Sequence, residues 1–236
     1  MEKIYIMTWN TELYVESTSS VSNEKYKAVK EVVERHLEQK NAVCFLQEIP
    51  YKSSKPCKSS KPWKEHTIFF TLKEDFPEEQ YDIIFHLTSK NQIMMTIAIA
   101  RKGIISPVED GNFSTNRTVT VRYKNTDLFI TGIHADNGKD NKTYLTRLDQ
   151  CGSAVILGDF NAGDYQESEN RDVFNSILKG HRCICSEITR WRSGRPTPID
   201  HVFVANYLLS KCSRCVVHKE ITCSDHYPIT FEIDWE

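Results

Sequence analysis

Short apolar runs rich in β-branched residues recur along the whole chain, and each is typical of a buried strand. They lie at residues 4–9, 42–46, 67–72, 83–87, 93–100, 119–123, 128–133, 154–157, 199–204 and 229–233. Few helical segments separate them. So many strands with so few helices predict more than one β-sheet.

Helical periodicity is clear in two segments, 23–40 and 169–178, and weaker at 144–149. Each of the first two carries one apolar stripe, and Ser22 is a candidate N-cap for the first. Gly180 follows the second and is a suitable stop. By itself, the pattern therefore predicts buried strands in more than one sheet and two well-defined helices.

Length and composition favour a single domain spanning residues 1–236. The chain is 39% hydrophobic, enough for a substantial core, and no composition break divides it. Its 30 Lys and Arg nearly balance 32 Asp and Glu, which excludes a disordered polyelectrolyte and a uniformly basic nucleic-acid coat. No apolar run approaches the roughly 20 residues that span a bilayer, and the first residues indicate a strand rather than a signal peptide. We therefore expect a cytoplasmic monomer with no membrane span.

A local repeat at residues 52–64 predicts an extended cationic loop. Lys-Ser-Ser-Lys-Pro occurs twice in succession, and the two prolines prevent a regular helix. Candidates for binding an anionic substrate are Lys55, Lys58 and Lys61. A solvated surface loop is the commoner fate of such a run. The loop begins shortly after Glu48, however, and this favours a functional role if Glu48 belongs to an active site.

Four of the eight cysteines stand in two close pairs, Cys183 with Cys185 and Cys212 with Cys215. Such pairs could close a structural zinc site. The first pair lacks the usual two-residue spacer, which favours the alternative that these thiols are small buried hydrophobes on neighbouring strands. The chain has too few cysteines for a disulfide scaffold, so we expect mostly free thiols.

Polar residues able to bind metal or phosphate lie at the ends of the apolar runs again and again. They are Asn10, Glu48, His134, Asp159 with Asn161, Asp200, and Asp225 with His226. Ligand and catalytic groups collect at the ends of strands that are buried on both faces, because polar groups there avoid the apolar layers. The recurrence predicts that these residues meet at one shared edge.

The combination resembles the endonuclease/exonuclease/phosphatase superfamily, which includes deoxyribonuclease-I-like enzymes and apurinic endonucleases. The matching motifs are Thr-Trp-Asn at 8–10, Leu-Gln-Glu at 46–48, Gly-Ile-His at 132–134, Gly-Asp-Phe-Asn at 158–161, Pro-Ile-Asp-His at 198–201 and Cys-Ser-Asp-His at 223–226. The resemblance implies an α/β fold, a four-layer sandwich in which two mixed β-sheets pack face to face with helices outside. It also implies hydrolysis of phosphoric esters.

The residue types indicate which ion would serve such chemistry. Glu48 is a hard oxygen ligand beside Asn10, and no cluster of Cys or His accompanies it. This set suits Mg²⁺ or Mn²⁺ rather than zinc. Asp225 is a further candidate ligand. The ion would neutralise charge that builds on the phosphoryl oxygens and on the leaving oxygen.

Catalytic roles can be assigned to the remaining strand-end residues. Asp159, beside Asn161, would orient or deprotonate the attacking water. His226 would face the scissile phosphate while Asp200 holds its imidazole in one tautomer. Either Asp159 or His226 could take the proton.

Two more residues enter through the resemblance. His134 matches a position that carries histidine or tyrosine near the phosphate in the superfamily. Arg117 stands at the head of the run at 119–123, where deoxyribonuclease-I-like members carry a phosphate-contacting arginine. An arginine there would bind an anionic oxygen through two hydrogen bonds. Without the resemblance, a surface arginine is an equally good interpretation.

The surroundings of this edge favour nucleic acid, DNA in particular, as substrate. Besides the lysine loop, a second cationic segment precedes Asp200 and carries Trp191, Arg192 and Arg195. Cationic side chains with an aromatic ring can follow a phosphate backbone and stack a base. The alternatives are a phosphatase or a phospholipid or small-molecule phosphodiesterase on the same scaffold, and a non-catalytic nucleic-acid-binding module.

Overall fold

Two six-stranded mixed sheets face each other at the centre of the computed structural model, which describes residues 2–14, 23–51, 67–87, 93–108, 115–136, 141–162, 168–185 and 187–235. In chain order the strands are β1 (Glu2–Asn10), β2 (Ala42–Pro50), β3 (Tyr81–Phe85), β4 (Met94–Arg101), β5 (Ile105–Pro107), β6 (Thr118–Tyr123), β7 (Phe129–His134), β8 (Val155–Asp159), β9 (His181–Cys183), β10 (Arg190–Arg192), β11 (Arg195–Thr197), β12 (Asp200–Ala205), β13 (Val216–Val217) and β14 (Ile229–Trp235). The first sheet has the order β13-β14-β1-β2-β4-β3, and the second has the order β5-β6-β7-β8-β12-β9. β10 and β11 form a separate hairpin.

Helices cover the outer face of each sheet. They are α1 (Asn23–Leu37), α2 (Thr67–Asp75), α3 (Asn141–Thr146) and α4 (Ser168–Ile177). Buried side chains of α1 and α2 pack on the outer face of the first sheet, and those of α3 and α4 pack on the outer face of the second. A third apolar cluster, drawn from both sheets, fills the space between them. This is the predicted four-layer α/β sandwich, and the prediction is confirmed.

Strand direction brings the ends of the central strands to one edge. In the first sheet β1 and β2 run parallel, with Asn10 opposite Gln47. In the second sheet β7 and β8 run parallel, and their register pairs His134 with Asp159. β12 is antiparallel to β8, so its first residue, Asp200, also lies opposite Asp159. The ends of β1, β7 and β8 and the start of β12 therefore lie close together.

Two glycines permit the close approach of strands near this edge. A Cβ atom at Gly132 would lie 2.4 Å from Cδ1 of Phe45, across the interface between the sheets. At Gly158, with φ of +132°, a Cβ atom would lie 2.1 Å from the carbonyl oxygen of Ile133. No side chain fits at either distance, so both positions require glycine.

The prediction of a strand at residues 67–72 is wrong, because this segment is the first part of α2. Its buried side chains follow the spacing of one helical face, whereas Phe70 is 53% exposed. Phe69 packs edge-on against Phe85 on β3, with ring centroids 5.3 Å apart. A short, uniformly apolar run does not distinguish a strand from a buried helix, and here packing on the sheet selects the helix.

The other predicted elements are present. The helices predicted at 23–40 and 169–178 are α1 and α4, with ends shifted by a few residues. The weaker segment at 144–149 falls on the end of α3 and on a 3-10 helix at Leu148–Gln150. The remaining apolar runs all overlap strands of the two sheets.

Candidate active site

Asn10, at the end of β1, joins the two sheets at their shared edge. Its Nδ2 donates to Oε1 of Glu48 at 3.1 Å and to Oδ2 of Asp159 at 2.9 Å. Its Oδ1 accepts the backbone N–H of Glu12 at 3.0 Å, which sets the orientation of the amide. Asn10 is buried. In this arrangement Asn10 turns its nitrogen toward the carboxylates, so it positions them rather than offering its own oxygen.

Glu48 reaches the site because β2 is irregular at this point. The register between β2 and β4 shifts between Leu46 and Ile49, and Glu48 has a positive φ of 58°. Such a bulge redirects a side chain that regular pleating would aim elsewhere. Burial raises the pKa of Glu48 above its usual value, and the hydrogen bond from Asn10 opposes the shift.

Asp159, the last residue of β8, is fully buried and held at both oxygens. Oδ1 accepts the backbone N–H of Asn161 at 2.8 Å, and Oδ2 accepts the amide of Asn10. Burial, with the negative charge of Asp200 added, raises the pKa of Asp159 to about 7. Asn161 has a positive φ of 44° and donates its Nδ2 to the backbone oxygen of Ala135 at 2.9 Å. Asn161 thus supports Asp159 through its backbone.

Asp200 and His226 form a buried pair. Nδ1 of His226 lies 2.8 Å from Oδ2 and 3.0 Å from Oδ1 of Asp200. Burial alone would lower the pKa of His226, but the charge and hydrogen bond of Asp200, with Asp159 and Asp225 nearby, raise it to about 9. The other ring nitrogen, Nε2, faces Asp159 Oδ2 at 3.8 Å. Asp200 therefore favours the protonated ring and directs Nε2 into the site.

Thr189 is a further member of this group. Its hydroxyl donates to Oδ2 of Asp200 at 2.7 Å and accepts the backbone N–H of Asp200 at 3.0 Å. It is completely buried. Sequence analysis missed Thr189, because a threonine between strands carries no signal of its own.

His134 and Arg117 lie on the other side of Asp159. His134 Nε2 is 3.5 Å from Glu48 Oε1 and 3.7 Å from Asp159 Oδ2. Burial, together with the positive charge of Arg117, holds the pKa of His134 well below its usual value. Arg117 Nη1 is 3.4 Å from His134 Nδ1, and Arg117 Nε pairs with Asp136 Oδ1 at 2.8 Å.

Asp225 connects the site to the β10–β11 hairpin. Its Oδ1 is 3.7 Å from His226 Nε2, whereas its Oδ2 accepts a hydrogen bond from Arg190 Nε at 3.0 Å. Arg192 Nε is 3.9 Å from the same oxygen, and the backbone N–H of Trp191 donates to the carbonyl of Asp225. Arg190 was not among the sequence-derived candidates, although it opens the Arg-Trp-Arg segment.

The outward side of the hairpin is exposed beside this site. The Trp191 side chain is 51% exposed, and Arg192 and Arg195 are also exposed. The lysine loop, with Lys55, Lys58 and Lys61, lies outside the described residues.

A divalent cation fits the chemistry of these side chains. Among the described residues, the one group that brings three potential ligand atoms within 4.8 Å of one another is Asp159, Asp200 and His226. Glu48 adds another carboxylate, held to Asp159 through Asn10. Burial raises the pKa values of Glu48 and Asp159, because both carboxylates lose water there. A hard cation with oxygen ligands would offset that cost.

A buried carboxylate cluster beside a carboxylate-held histidine defines a hydrolase site built on a four-layer sandwich. The family model described as "Endonuclease/Exonuclease/phosphatase family" matches residues 7–226. The chain therefore belongs to that family, whose members are enzymes that hydrolyse phosphoric esters. No curated protein matches the chain by sequence.

Solved structures with similar folds include several nucleases. The endonuclease domain of TRAS1, a telomere-specific non-LTR retrotransposon, has a TM-score of 0.67 at 13% identity, over 98% of both chains. The 3'-5' exonuclease NExo of Neisseria meningitidis has a TM-score of 0.65 at 17% identity, over 98% of this chain and 100% of that one. NExo is also described as a 3' phosphatase, bound to a product DNA hairpin. A family protein from Bacteroides thetaiotaomicron has a TM-score of 0.66 at 17% identity, over 100% and 98% of the two chains.

The structure also bears on membrane association. None of the described helices is both long enough and apolar enough to cross a bilayer.

Proposed function

We propose that this protein is a Mg²⁺- or Mn²⁺-dependent phosphodiesterase that cleaves nucleic acid, with DNA as its preferred substrate, by in-line attack of water on phosphorus. The observation that carries the proposal is the contact of Asn10 with both Glu48 and Asp159, opposite the Asp200–His226 pair. This contact places Glu48 of the first sheet against Asp159 of the second, beside the Asp200–His226 pair. The expected cytoplasmic location and monomeric state remain part of the proposal.

The chain's own groups divide the work of the reaction. Asp159 is held by Asn10 and by the backbone of Asn161, so its orientation is fixed before substrate arrives. It orients the attacking water and takes its proton. His226, with Nδ1 bonded to Asp200, presents a cationic Nε2 to the reacting phosphate and stabilises its negative charge. We infer this division because a histidine that already carries both protons cannot act as the base.

Glu48 would hold the metal ion, with Asn10 as a positioning group and Asp225 as a second candidate ligand. When bound, the ion neutralises charge on the phosphoryl oxygens and on the leaving oxygen. His134 and Arg117 lie beside Glu48 and Asp159, where they can contact the phosphate. Arg117 carries a fixed positive charge there.

The β10–β11 hairpin supports a nucleic-acid substrate. The Trp191 side chain is half exposed and lies between Arg190 and Arg192 along the chain. Arg190 forms an ion pair with Asp225, which lies in the site. An exposed indole can stack on a base while Arg192 and Arg195 contact the backbone phosphates. The TRAS1 endonuclease domain and NExo, whose structure holds a product DNA hairpin, have similar folds. These observations together favour a polynucleotide over a small phosphoester.

The test compares substrates and metals directly. Purified protein is incubated with plasmid DNA, single-stranded DNA, RNA, an inositol phosphate and sphingomyelin, each with Mg²⁺, Mn²⁺ or EDTA. We expect cleavage of DNA that requires the metal and that Asp159→Asn and His226→Gln abolish. Turnover of a small phosphoester without cleavage of DNA or RNA would instead establish the phosphatase alternative. Nucleic-acid binding without any turnover would establish the binding module.

The lysine loop requires its own experiment. Replacing Lys55, Lys58 and Lys61 by Ser should weaken DNA binding and flatten its dependence on salt, because fewer counterions are released. The matched control replaces three exposed lysines of other segments, Lys27, Lys73 and Lys179. An unchanged salt slope in the loop variant would show that the loop is only solvated.

A further inference from the structure

A cleft of about 780 Å³ lies on the outer face of the first sheet, and none of its lining residues belongs to the candidate active site. The last turns of α1 form one wall, and β13 and β14, at the edge of the sheet, form the other. Met7 of β1 lies opposite Thr230 of β14, which lies opposite Val216 of β13, so these side chains share one face of the sheet. The volume is within the usual range for a small-molecule site.

The floor of the cleft is apolar. Met7 is buried there, whereas Tyr5, Val32 and Ile221 are partly exposed and pack against the apolar cluster beneath α1 and α2. Val216, on the rim, is 53% exposed. A ligand with an apolar body would cover this surface and release the water in contact with it.

His218 holds the wall that faces α1. Its backbone N–H donates to the carbonyl oxygen of Pro228 at 2.9 Å, and its Nε2 lies 2.8 Å from the hydroxyl of Thr230. Its Nδ1 lies 3.0 Å from Oε1 of Glu220, so this acid of the cleft has a partner. The wall is therefore fixed before a ligand binds, and binding requires little further ordering of the chain.

Two arginines of the cleft are available to bind an anion. Glu232, an acid on β14, pairs with Nζ of Lys3 at 2.8 Å. Arg35, on α1, and Arg214, on the opposite wall, form no ion pair with any residue that the structure describes. The carbonyl end of α1 contributes about half a negative charge, which the two guanidinium groups exceed.

We propose that this cleft binds a small organic anion, an apolar chain or ring that carries a carboxylate. The apolar part lies on the floor formed by Met7, Val32 and Ile221, and Arg35 and Arg214 reach the carboxylate from opposite walls. Planar guanidinium groups bind carboxylates through paired hydrogen bonds. Because the cleft is separate from the candidate active site, the proposal does not depend on the proposed function.

Calorimetric titration of the full chain with octanoate tests the proposal, with octanol, octylammonium and inorganic phosphate as comparison ligands. We expect one octanoate to bind per chain. Octanol should bind about 10-fold more weakly or worse, because it lacks the charge that the arginines pair with. Octylammonium has the wrong charge and phosphate lacks the apolar body, so neither should saturate the cleft. No saturable binding of octanoate, or equal affinity for octanol, would overturn the proposal.

Variants test whether the arginines recognise the carboxylate. Arg35→Met and Arg214→Met, both at exposed positions, should each weaken octanoate binding about 10-fold. Val216→Glu adds a carboxylate at the exposed rim and should also weaken binding. Arg122→Met, at an exposed arginine of β6, is the matched control and should leave the affinity unchanged. Unchanged affinity in both cleft arginine variants would overturn the proposal.

The location of the ligand is measured separately. On addition of octanoate, the amide chemical shifts of Val216 and Ile221 should move, whereas that of Asp159 in the candidate active site should not. Shifts confined to the active site would overturn the proposal, because they would assign the bound octanoate to the cationic groups there.

Discussion

Arg117 determines which nitrogen of His134 carries the proton. Arg117 Nη1 lies 3.4 Å from His134 Nδ1, and a guanidinium can only donate, so Nδ1 is the acceptor. Because burial and the charge of Arg117 depress the pKa of His134, the ring is neutral and its proton resides on Nε2. Nε2 faces Oε1 of Glu48 at 3.5 Å. The arginine thus directs an N–H toward a carboxylate of the proposed metal site.

Replacing Arg117 should remove the contact that favours this tautomer of His134. We expect Arg117→Met to give a mixture of His134 tautomers and to lower phosphodiesterase activity about 10–100-fold, the usual range for partners that orient active-site ligands. The nitrogen chemical shifts of His134 report the tautomer directly. Arg122→Met, at an exposed arginine of β6, is the matched control. A His134 spectrum unaltered by Arg117→Met would contradict the assignment.

Thr189 should act through Asp200 on His226. Thr189→Val keeps the shape but removes the hydroxyl that serves both the carboxylate and the backbone N–H of Asp200. We expect kcat to fall with KM nearly unchanged, and the free energy of unfolding to fall by about 1–3 kcal/mol for the buried groups left unpaired. Steady-state kinetics and urea unfolding measure the two effects.

The conservative variant separates positioning from packing. Thr189→Ser retains the hydroxyl and loses a methyl group, so it should recover most of kcat. If Thr189→Ser were as inactive as Thr189→Val, the methyl contact rather than the hydrogen bonds would be responsible.

Asn10 should control the affinity for metal. Asn10→Ala removes the amide that donates to both Glu48 and Asp159, so the two carboxylates lose their shared hydrogen-bond donor. We expect the Mg²⁺ concentration needed for half-maximal activity to rise about 10–100-fold. A titration of activity against Mg²⁺ measures this. Thr11→Ala, which removes a buried hydroxyl bonded to the backbone of Gln47 next to the site, controls for general loosening. A metal requirement that shifts equally in both variants would argue against a specific role for Asn10.

His36 should make the fold sensitive to acid, far from the site. Its Nε2 lies 3.3 Å from the backbone oxygen of Tyr5, and burial lowers its pKa from 6.5 to about 4. A folded-state pKa below the unfolded one means that stability is complete above about pH 6.5 and is lost as pH falls toward about 4. Between pH 7.5 and pH 5 this loss amounts to about 2 kcal/mol.

The matched variant for this prediction is His36→Gln, which can still donate to Tyr5 but does not titrate. Urea unfolding at the two pH values should show a stability difference about 2 kcal/mol smaller than in the wild type. Equal differences in the two proteins would assign the acid sensitivity to other groups.

The sequence pattern was sufficient for the residues whose position follows from strand ends. Asn10, His134, Asp159 and Asp200 end or begin strands whose directions place them together. Glu48 reaches the same place only through a bulge, which no periodicity specifies. Its place was predicted because it follows an apolar run, as for the other residues, and the bulge is the part that the pattern could not predict.

The residues that sequence analysis missed depend on tertiary contacts. Thr189 bonds Asp200 and Arg190 bonds Asp225 because the β10–β11 hairpin folds back toward the site. A local sequence pattern does not predict where a hairpin packs. Asn161 was predicted as a partner of Asp159 in the site, but it has a positive φ and its side chain donates to the backbone oxygen of Ala135. Likewise, α2 forms where an apolar run also suited a strand, because the sheet offered a surface to cover.

The close contact between Gly132 and Phe45 ties core packing to chemistry. A single added methyl group at Gly132 would meet the phenyl ring at 2.4 Å and push the two halves of the molecule apart. Asn10 and Glu48 belong to the first sheet and Asp159 to the second. Even a small separation of the sheets would therefore break the hydrogen bonds from the Asn10 amide to the two carboxylates. Catalytic activity should therefore respond more sensitively than thermal unfolding to a change in how the two sheets pack. Activity should be lost while the chain is still folded.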